Sequence, residues 1–564
     1  MIIEELNKIF DTVLRDLNYE IKVNVIKSNR PELCDYQFDG VFKLASMYHE
    51  NPVTIGQKIV EKIKLLERYN HYFKSVEFIK PGFINIIISD EFINEQLIHI
   101  STSEHLGMSK PEEKELFFLD YGGYNIAKPL HIGHLRPTII GESIKRIIQF
   151  MGHDTIADVH LGDYGLQMGQ VIYGILRDQL SIEEITIDYL NKIYPEISGL
   201  CKTDENVKDT CATITKELQN GNELYVSIWN KIVEVSIEDA KKICNYLGVT
   251  FDLWQGESDA CQYLNQVEDI LVQKNLLEIS EGASVVNVKK DSDNKPMPPM
   301  MFKKSNGAYV YDSTDLATIY ERKIKYHPDH IIYVTDFRQN LHFEQVFRAS
   351  DLAGIMPYAS LEHAYNGTIN GTDGKPFKTR QGNAPKLSEL FEEVKETFIG
   401  LKDTNKKMKQ EDIDMIVNAI IKYADLQNNR EKDYIFDIAK FSNVVGKTGP
   451  YVLYTYVRIN KILKESKKIE FSPIIYNDFD RNLRKKIIEF EIDVKKAFQD
   501  RMPSNIAEYI YDLCVTMNTF YQNNHINGLE DEKQKSGWLY VLKTANQVLK
   551  ELLYLLMIDI PTVM

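Results

Sequence analysis

The chain has 564 residues, 43% hydrophobic and 26% charged, with 67 Lys and Arg against 82 Asp and Glu, a formal net charge of −15. That length is more than one core organises and predicts roughly three to five structural units, while the ordinary apolar and charged fractions exclude disordered, collagen-like and disulfide-scaffold chains. The acidity excludes a generic polyanion binder, but it is uneven: residues 401–564 carry 25 basic and 23 acidic side chains (+2) and residues 1–400 carry 42 and 59 (−17), so phosphate is repelled least by the C-terminal part.

Residues 1–105 are expected to form a small α+β unit. Ile2, Ile3, Leu6, Ile9, Phe10, Val13, Leu14 and Leu17 fall at helical spacing, Val53 to Leu66 repeats the pattern, and Ser75 to Ile88 has strand–turn–strand character about Pro81-Gly82. The polar stretch Ser101 to Glu115 is expected to be a linker. In residues 106–400, Leu116 to Leu119 predicts a buried strand ended by Asp120. A loop with Gly122, Gly123, Pro129 and Gly133 follows, then a helix from Leu135 closed by Gly152 and a strand from Thr155 to His160. Strand, glycine-bearing loop, helix and strand form the first unit of a doubly wound, Rossmann-like sheet, so the fold class expected for this region is α/β. Asp163 to Asn275 is helical and acidic and is expected to be an insertion. Further strands are expected at Ala308 to Tyr311, His330 to Thr335 and Tyr365 to Asn370, with a polar, basic loop from Gly371 to Lys386. Residues 401–564 are expected to be all-α, ending in an apolar helix over Val548 to Met557.

Six scattered cysteines contain no C-x-x-C, so neither a metal nor a redox role is expected. No apolar run approaches the ~20 residues of a membrane span, and Glu4 and Glu5 lie where an export signal needs basic residues; the expectation is a cytoplasmic chain with no membrane partner.

Chemistry concentrates in Asn125-Ile-Ala-Lys128-Pro-Leu-His131-Ile-Gly133-His134. A helix that starts after a glycine-bearing turn offers free N–H groups and the positive end of its dipole to phosphate. His131 and His134 can donate to phosphate oxygens, Lys128 adds a mobile ammonium, and Gly133 lets a flat base approach the backbone. A second basic loop, Asp373-Gly-Lys375-Pro-Phe-Lys378-Thr-Arg380-Gln-Gly382, has three cations in six residues between glycine hinges and suits a clamp on a developing pyrophosphate.

Together these segments resemble a class I aminoacyl-tRNA synthetase, specifically the arginyl-tRNA synthetases. His131 to His134 is the H-I-G-H signature; the leader from Asp120 to Pro129, Leu161-Gly-Asp-Tyr-Gly-Leu-Gln167, Tyr311-Asp-Ser-Thr-Asp315 and Gln339-Asn-Leu-His342 match in order and spacing. Tyr423 to Arg430 and Gly446 to Tyr451 are similar to the start of that family's helical anticodon-binding domain, and Asp35-Tyr-Gln37 with Gly82-Phe-Ile-Asn85 to its N-terminal domain, which contacts the tRNA elbow.

The resemblance implies three domains, 1–105, 106–400 and 401–564, and ATP-dependent ligation of L-arginine to its tRNA through an arginyl-adenylate. It implies His131, His134, Lys128 and Lys378 as catalytic, with Gly133, Lys375 and Arg380 at ATP. Asp120, Gly123, Asn125, His131, Tyr311, Asp315 and Gln339 would hold arginine. Magnesium would arrive with ATP and need no dedicated protein site, the partners would be arginine tRNA, L-arginine and ATP, and the chain would act as a monomer. A planar five-donor guanidinium wants in-plane carboxylates, which suits Asp315, although that residue could instead cap a helix before Leu316. Phe83 and Asn85 are elbow candidates; Tyr434, Tyr451, Tyr454, Tyr456, Trp538 and Met564 are anticodon candidates, since splayed bases stack on aromatic rings. The basic loop departs from the usual K-M-S-K, Gly122-Gly123-Tyr124 replaces a serine-bearing tripeptide, and Tyr164 stands where Trp is common. Rivals are a class I synthetase for another amino acid, a nucleotidyltransferase outside translation and a silent RNA-binding paralogue.

Overall fold

The computed structural model describes residues 2–377, 385–401 and 408–564. Its N-terminal unit is an antiparallel sheet in the order Val25–Lys27, Tyr36–Phe38, Phe83–Ile88, Phe73–Ile79. Against it lie the helices Ile2–Asp16, which buries Ile2, Leu6, Phe10, Val13 and Leu14 along one stripe, and Pro52–Lys64, which starts on proline with Asn51 as cap. The expected linker is shorter than its polarity suggests. Ser101 and Thr102 finish the helix Asp90–Thr102, and a tight turn at Glu104–Gly107 tucks Leu106 into the core.

The central sheet has four parallel strands in the order Leu361–His363, His330–Val334, Leu116–Tyr121, Asp154–Asp158. The helix Ile132–Phe150 makes the crossover from Leu116–Tyr121 to Asp154–Asp158. The first strand continues through Asp120 rather than ending there. A carboxylate is tolerated in a buried strand because Arg322, itself buried, donates to Asp120 Oδ2 at 2.6 Å and to Asp158 Oδ2 at 3.0 Å. The crossover helix begins at Ile132, three residues before the periodic apolar run, because its first turn is capped by histidine side chains that apolar periodicity does not register.

The strand expected at Ala308–Tyr311 is absent. Ser313 accepts a 2.8 Å bond from the Val310 N–H, and Tyr311 becomes the first residue of the helix Tyr311–Tyr326. The strands of this region are Leu277–Ser280, Ala283–Val286 and Met300–Lys303, an antiparallel sheet. The strand expected over Tyr365–Asn370 contracts to Ile369–Asn370, paired with Tyr434–Ile435. The insertion is helical, with Leu166–Arg177, Ile187–Thr203, Glu205–Gln219 and Glu223–Leu247 as its main helices. The C-terminal part is a helical bundle whose last helix, Glu532–Leu555, contains most of the expected terminal apolar segment. Among the described residues, no helix is long and apolar enough to cross a membrane.

The crossover helix lies very close to its strand. A Cβ on Gly141 would sit 2.2 Å from Tyr121 Cγ, and Tyr121 cannot retreat because its hydroxyl is 2.8 Å from Glu142 Oε2 and 3.0 Å from the Thr250 carbonyl. Gly141→Ala should therefore lower stability by about 1–3 kcal/mol, read as a drop in the denaturation midpoint. Gly199→Ala, on an insertion helix where nothing lies within 4 Å of the added carbon, should leave it unchanged or raise it.

Candidate active site

His131 is the N-cap of the crossover helix, with extended backbone (φ −122°, ψ 173°). Its Nδ1 accepts from the Gly133 N–H at 3.1 Å, and His134 Nδ1 accepts from the His131 N–H at 3.1 Å. The two rings lie 4.0 Å apart between centroids. This is a capping box made of imidazoles. Because each Nδ1 accepts a hydrogen bond, each neutral ring carries its own proton on Nε2, and that N–H is the donor left for a ligand. Burial and the Lys128 ammonium lower the proton affinity of His131; burial, then His131 and Lys128, lower His134 to about 3. Both imidazoles are therefore neutral donors at physiological pH. A Cβ on Gly133 would press the His131 ring at 2.9 Å, so glycine here keeps the imidazole in its capping position. The Lys128 ammonium rests 4.6 Å from the Tyr194 ring centroid on the insertion.

A cavity of about 480 Å³ opens beside this turn. His131, Gly133, His134, Asn125 and Gln339 line it, together with Arg136, Asp336, Arg338, the stretch Asn366–Ile369 and Phe377. The buried Gln339 Oε1 and Asn366 Oδ1 find no partner among the described residues, which suits groups that complete their hydrogen bonds on a ligand. Both described ends of the basic loop return to this site. Gly371 N–H bonds the Lys375 carbonyl, Asn370 bridges Pro376, Ile132 N–H bonds the Pro385 carbonyl at 3.1 Å, and Leu387 N–H bonds the Leu130 carbonyl at 2.9 Å. Lys375 is thus on the anchored part; Lys378, Arg380 and Gly382 lie outside the described residues.

A second cavity, also about 480 Å³, is lined by Tyr164, Gln219, Glu257, Cys261, Tyr311 and Thr314 among others. The two cavities have no lining residue in common; one helical turn connects them, because Gln339 lines the first and His342, three residues on, stacks on Tyr311 of the second at 4.6 Å. His342 lies 2.8 Å from Asp312 Oδ1 and 2.5 Å from Asp315 Oδ2. Burial opposes charge on that ring, but the two carboxylates outweigh it and lift its pKa to about 9, so His342 is an imidazolium. Asp315 is inside its helix, not at the cap; the cap is Val310, and the N-cap alternative falls.

Asp315, then burial, Glu257 and Asp120, hold the Tyr311 phenol proton well above its usual range, which marks a convergence of negative charge on that hydroxyl. Burial raises Glu257 to about 7, with Asp315 and Asp163 adding to the effect against His160. Asp120 has one oxygen held by Arg322, and Gly123 (φ +58°) faces open space. The residues that sequence reasoning missed are Glu257 and His342, with Asp336, Arg338 and Asn366 at the first cavity. His342 lay inside a motif already singled out, whereas Glu257, in Gln255-Gly-Glu257-Ser, carried no charge-pattern signal.

Of the nucleic-acid candidates, Phe83 is exposed and meets Phe42 edge-on at 6.3 Å, and Asn85 Oδ1 accepts from Gln37 across the sheet at 2.8 Å. Tyr451 is half-buried beside Asn518 and Tyr511. Met564 lines an apolar cavity of about 730 Å³ with the exposed Tyr454 and Val445. Tyr434 and Trp538, at 7% and 3% exposure, are corrections to the expected stacking set. The Tyr434 ring packs under Arg136, and Trp538 packs between Tyr476 and Phe520 while its Nε1–H donates to Asp480 at 3.1 Å, so neither offers a free face. Tyr456 is buried as well.

Residues 96–438 match the family described as tRNA synthetases class I (R), catalytic domain; residues 1–88 match Arginyl tRNA synthetase N terminal domain, and residues 452–564 match DALR anticodon binding domain. The chain is 38% identical over 586 residues to the arginine–tRNA ligase of Alkaliphilus oremlandii, covering 100% of this chain and 99% of that one. It is 39% identical to the arginine–tRNA ligase of Agathobacter rectalis, covering 98% and 97%. Its fold superposes on the crystal structure of arginyl-tRNA synthetase from Plasmodium falciparum with a TM-score of 0.84 at 26% identity, covering 100% and 99% of the two chains.

Glu257 makes a stability prediction independent of any substrate. Its folded pKa of about 7 lies above the ordinary 4.5, so its protonated form supports the fold; that support is complete below pH 4.5 and is lost as pH rises through 7. Glu257→Gln removes this loss. Relative to the parent, the variant should gain roughly 2 kcal/mol between pH 5.5 and 8, by the linkage of about 1.36 kcal/mol per pKa unit, measured by denaturant unfolding at the two pH values.

Proposed function

The chain belongs to the arginyl-tRNA synthetase family of class I aminoacyl-tRNA synthetases, whose reaction is ATP-dependent charging of tRNA with arginine through an arginyl-adenylate, and from that premise we propose how its residues divide the work. The observation that carries the proposal is the pair of neutral imidazole donors at a helix N-terminus, beside a cavity whose Gln339 lies one turn before the His342 that pairs with Asp312 and Asp315.

In the first step the arginine carboxylate oxygen bonds to the α-phosphorus of ATP and the bond to the β-phosphate oxygen breaks, releasing pyrophosphate. Charge grows on the leaving phosphates. The Nε2–H groups of His131 and His134, the Lys128 ammonium and the loop cations Lys375, Lys378 and Arg380 meet that charge, with Gly133 giving the nucleotide access to the helix start. Magnesium enters on the nucleotide, and its charge adds to theirs. In the second step a hydroxyl of the terminal tRNA ribose attacks the arginyl carbonyl carbon, and AMP leaves with the phosphate oxygen. No covalent enzyme intermediate is needed, so positioning supplies the acceleration.

Asp315, Tyr311 and Glu257 receive the guanidinium, whose charge offsets an excess of carboxylates that His342 and Arg322 only partly balance. Asp120, the Gly123 backbone, Asn125 and Gln339 hold the remaining polar groups of arginine. The N-terminal face around Phe83 and Asn85 meets the tRNA elbow, and Tyr451 and Met564 sit at the anticodon end. The enzyme acts as a monomer in the cytoplasm.

Two measurements test this division. His134→Ala should slow tRNA-dependent pyrophosphate exchange by about 100-fold, a barrier increase of roughly 3 kcal/mol typical of a lost preorganised donor, with tRNA affinity unchanged; unaltered turnover would refute the phosphate role. Asp315→Asn should raise the arginine KM at least tenfold more than the ATP KM, and charging of purified arginine tRNA by the parent should resist a large excess of lysine, which lacks the planar fork.

A further inference from the structure

Arg136 lies on the crossover helix two residues after His134 and is 1% exposed, yet it belongs to the lining of the nucleotide cavity. Its guanidinium is held on three sides. Nε lies 3.1 Å from Asp425 Oδ2 and 3.3 Å from Oδ1, Nη1 donates to the Lys432 carbonyl at 2.9 Å, and the Tyr434 ring centroid is 5.1 Å from Cζ. Nη2 is buried and has no partner among the described residues.

The segment that grips Arg136 also grips the opposite wall of the cavity. Gly367 N–H bonds the Arg430 carbonyl at 2.8 Å, Thr368 N–H bonds Asp433 Oδ1 at 2.7 Å, and Tyr434 N–H bonds the Thr368 carbonyl at 3.2 Å. The approach is close enough that a Cβ on Gly367 would stand 2.6 Å from the Lys432 carbonyl carbon, which only glycine avoids. Asp425 ends the helix Gln410–Leu426, and that helix is fastened to the end of the chain: Lys422 Nζ donates to the Met557 carbonyl at 2.7 Å, and Asp412 receives the Thr562 N–H at 2.6 Å and its hydroxyl.

We propose that Arg136 is a positioning residue that sets the width of the nucleotide cavity, tying the histidine-capped helix on one side to the Asn366–Ile369 wall on the other through Asp425, Lys432 and Tyr434. A buried guanidinium with fixed acceptors is a rigid spacer, since any movement of either wall must break charge-assisted bonds that no water replaces. The last residues of the chain bear on the same spacer through the helix Gln410–Leu426.

The inference rests on the reading of this cavity as the ATP site, so ATP binding to the parent enzyme is measured first; failure there would sink that reading and not the spacer. Asp425→Asn keeps the shape and removes the charge, and Arg136→Lys keeps the charge and cannot span the acceptors. Each should raise the ATP KM at least tenfold while the arginine KM and tRNA affinity stay within twofold, and the double variant should be no worse than the more impaired single one. A purely structural role would instead lower the unfolding midpoint and reduce the apparent kcat with the folded fraction, leaving both KM values unchanged. Unchanged ATP KM in folded Asp425→Asn, equal rises in both KM values, or additive effects in the double variant would overturn the proposal. Should Arg136→Lys not fold, Asp425→Asn with Gly367→Ala, which displaces the opposite wall directly, decides it by the same ATP-selective rise.

Discussion

The active site depends on one local exchange of hydrogen bonds: two imidazoles cap the helix that carries them. A helix start leaves N–H groups without partners, and serine or aspartate ordinarily accepts from them. Here His131 and His134 do so through Nδ1. The same bonds that begin the helix fix both tautomers, and burial beside Lys128 removes any tendency to take a second proton. An aspartate cap would start the helix equally well but would place a negative charge at the proposed phosphate site. The histidine pair solves both requirements with neutral groups whose remaining N–H is a directed donor.

The neighbouring slot follows the opposite logic, since its charge is left incomplete. Arg322 joins Asp120 to Asp158, and His342 joins Asp312 to Asp315, so each internal cation serves two carboxylates. Glu257 adds a further acid, and burial keeps it partly protonated near neutrality. On the proposed reading, a guanidinium entering this slot adds the charge the protein lacks and draws Glu257 into its ionised form, whereas a neutral isostere leaves buried carboxylates unpaired, which is the costly outcome. On that reading, selectivity originates in how the slot is balanced as much as in the contacts made when it is filled.

Much of this was legible in the chain because the chemistry needs contiguous groups. The strand–turn–helix around His131 and the Tyr311-Asp-Ser-Thr-Asp315 segment are single stretches whose spacing reflects one turn of structure, and apolar periodicity located most long helices. Partners brought together by tertiary packing were hidden. Arg322 lies 202 residues from Asp120, so nothing local shows that this aspartate can continue a strand. Val310 becomes a helix cap rather than a strand residue because Ser313 bonds back to it, a contact that β-propensity cannot anticipate. Tyr434 and Trp538 are candidates by sequence because aromatic rings in a helical region least repelled by phosphate suit stacking, but their rings are used to seat Arg136 and to close the core around Asp480.

Ion pairs and buried hydrogen bonds also join the two outer units. Arg481, on the C-terminal bundle, lies 3.0 Å from Asp35 and 3.1 Å from Asp90 of the N-terminal unit, and Lys485 pairs with Asp35 as well. Arg484, fully buried, bridges Asn94 at 2.6 Å and Asp480 at 2.7 Å, and Asp480 in turn holds Trp538. Such pairs add little net stability, because desolvation offsets their attraction, but they are unforgiving of misplacement. Their effect is to fix register, so the face around Phe83 and the cavity at Met564 stand at a set separation. On the proposed reading these two regions meet the elbow and the anticodon end of one tRNA. The same chain end that closes the Met564 cavity is bonded to the helix Gln410–Leu426, and so to Arg136. The chain end is thus joined to the wall of the proposed nucleotide cavity by a short run of buried, directional contacts.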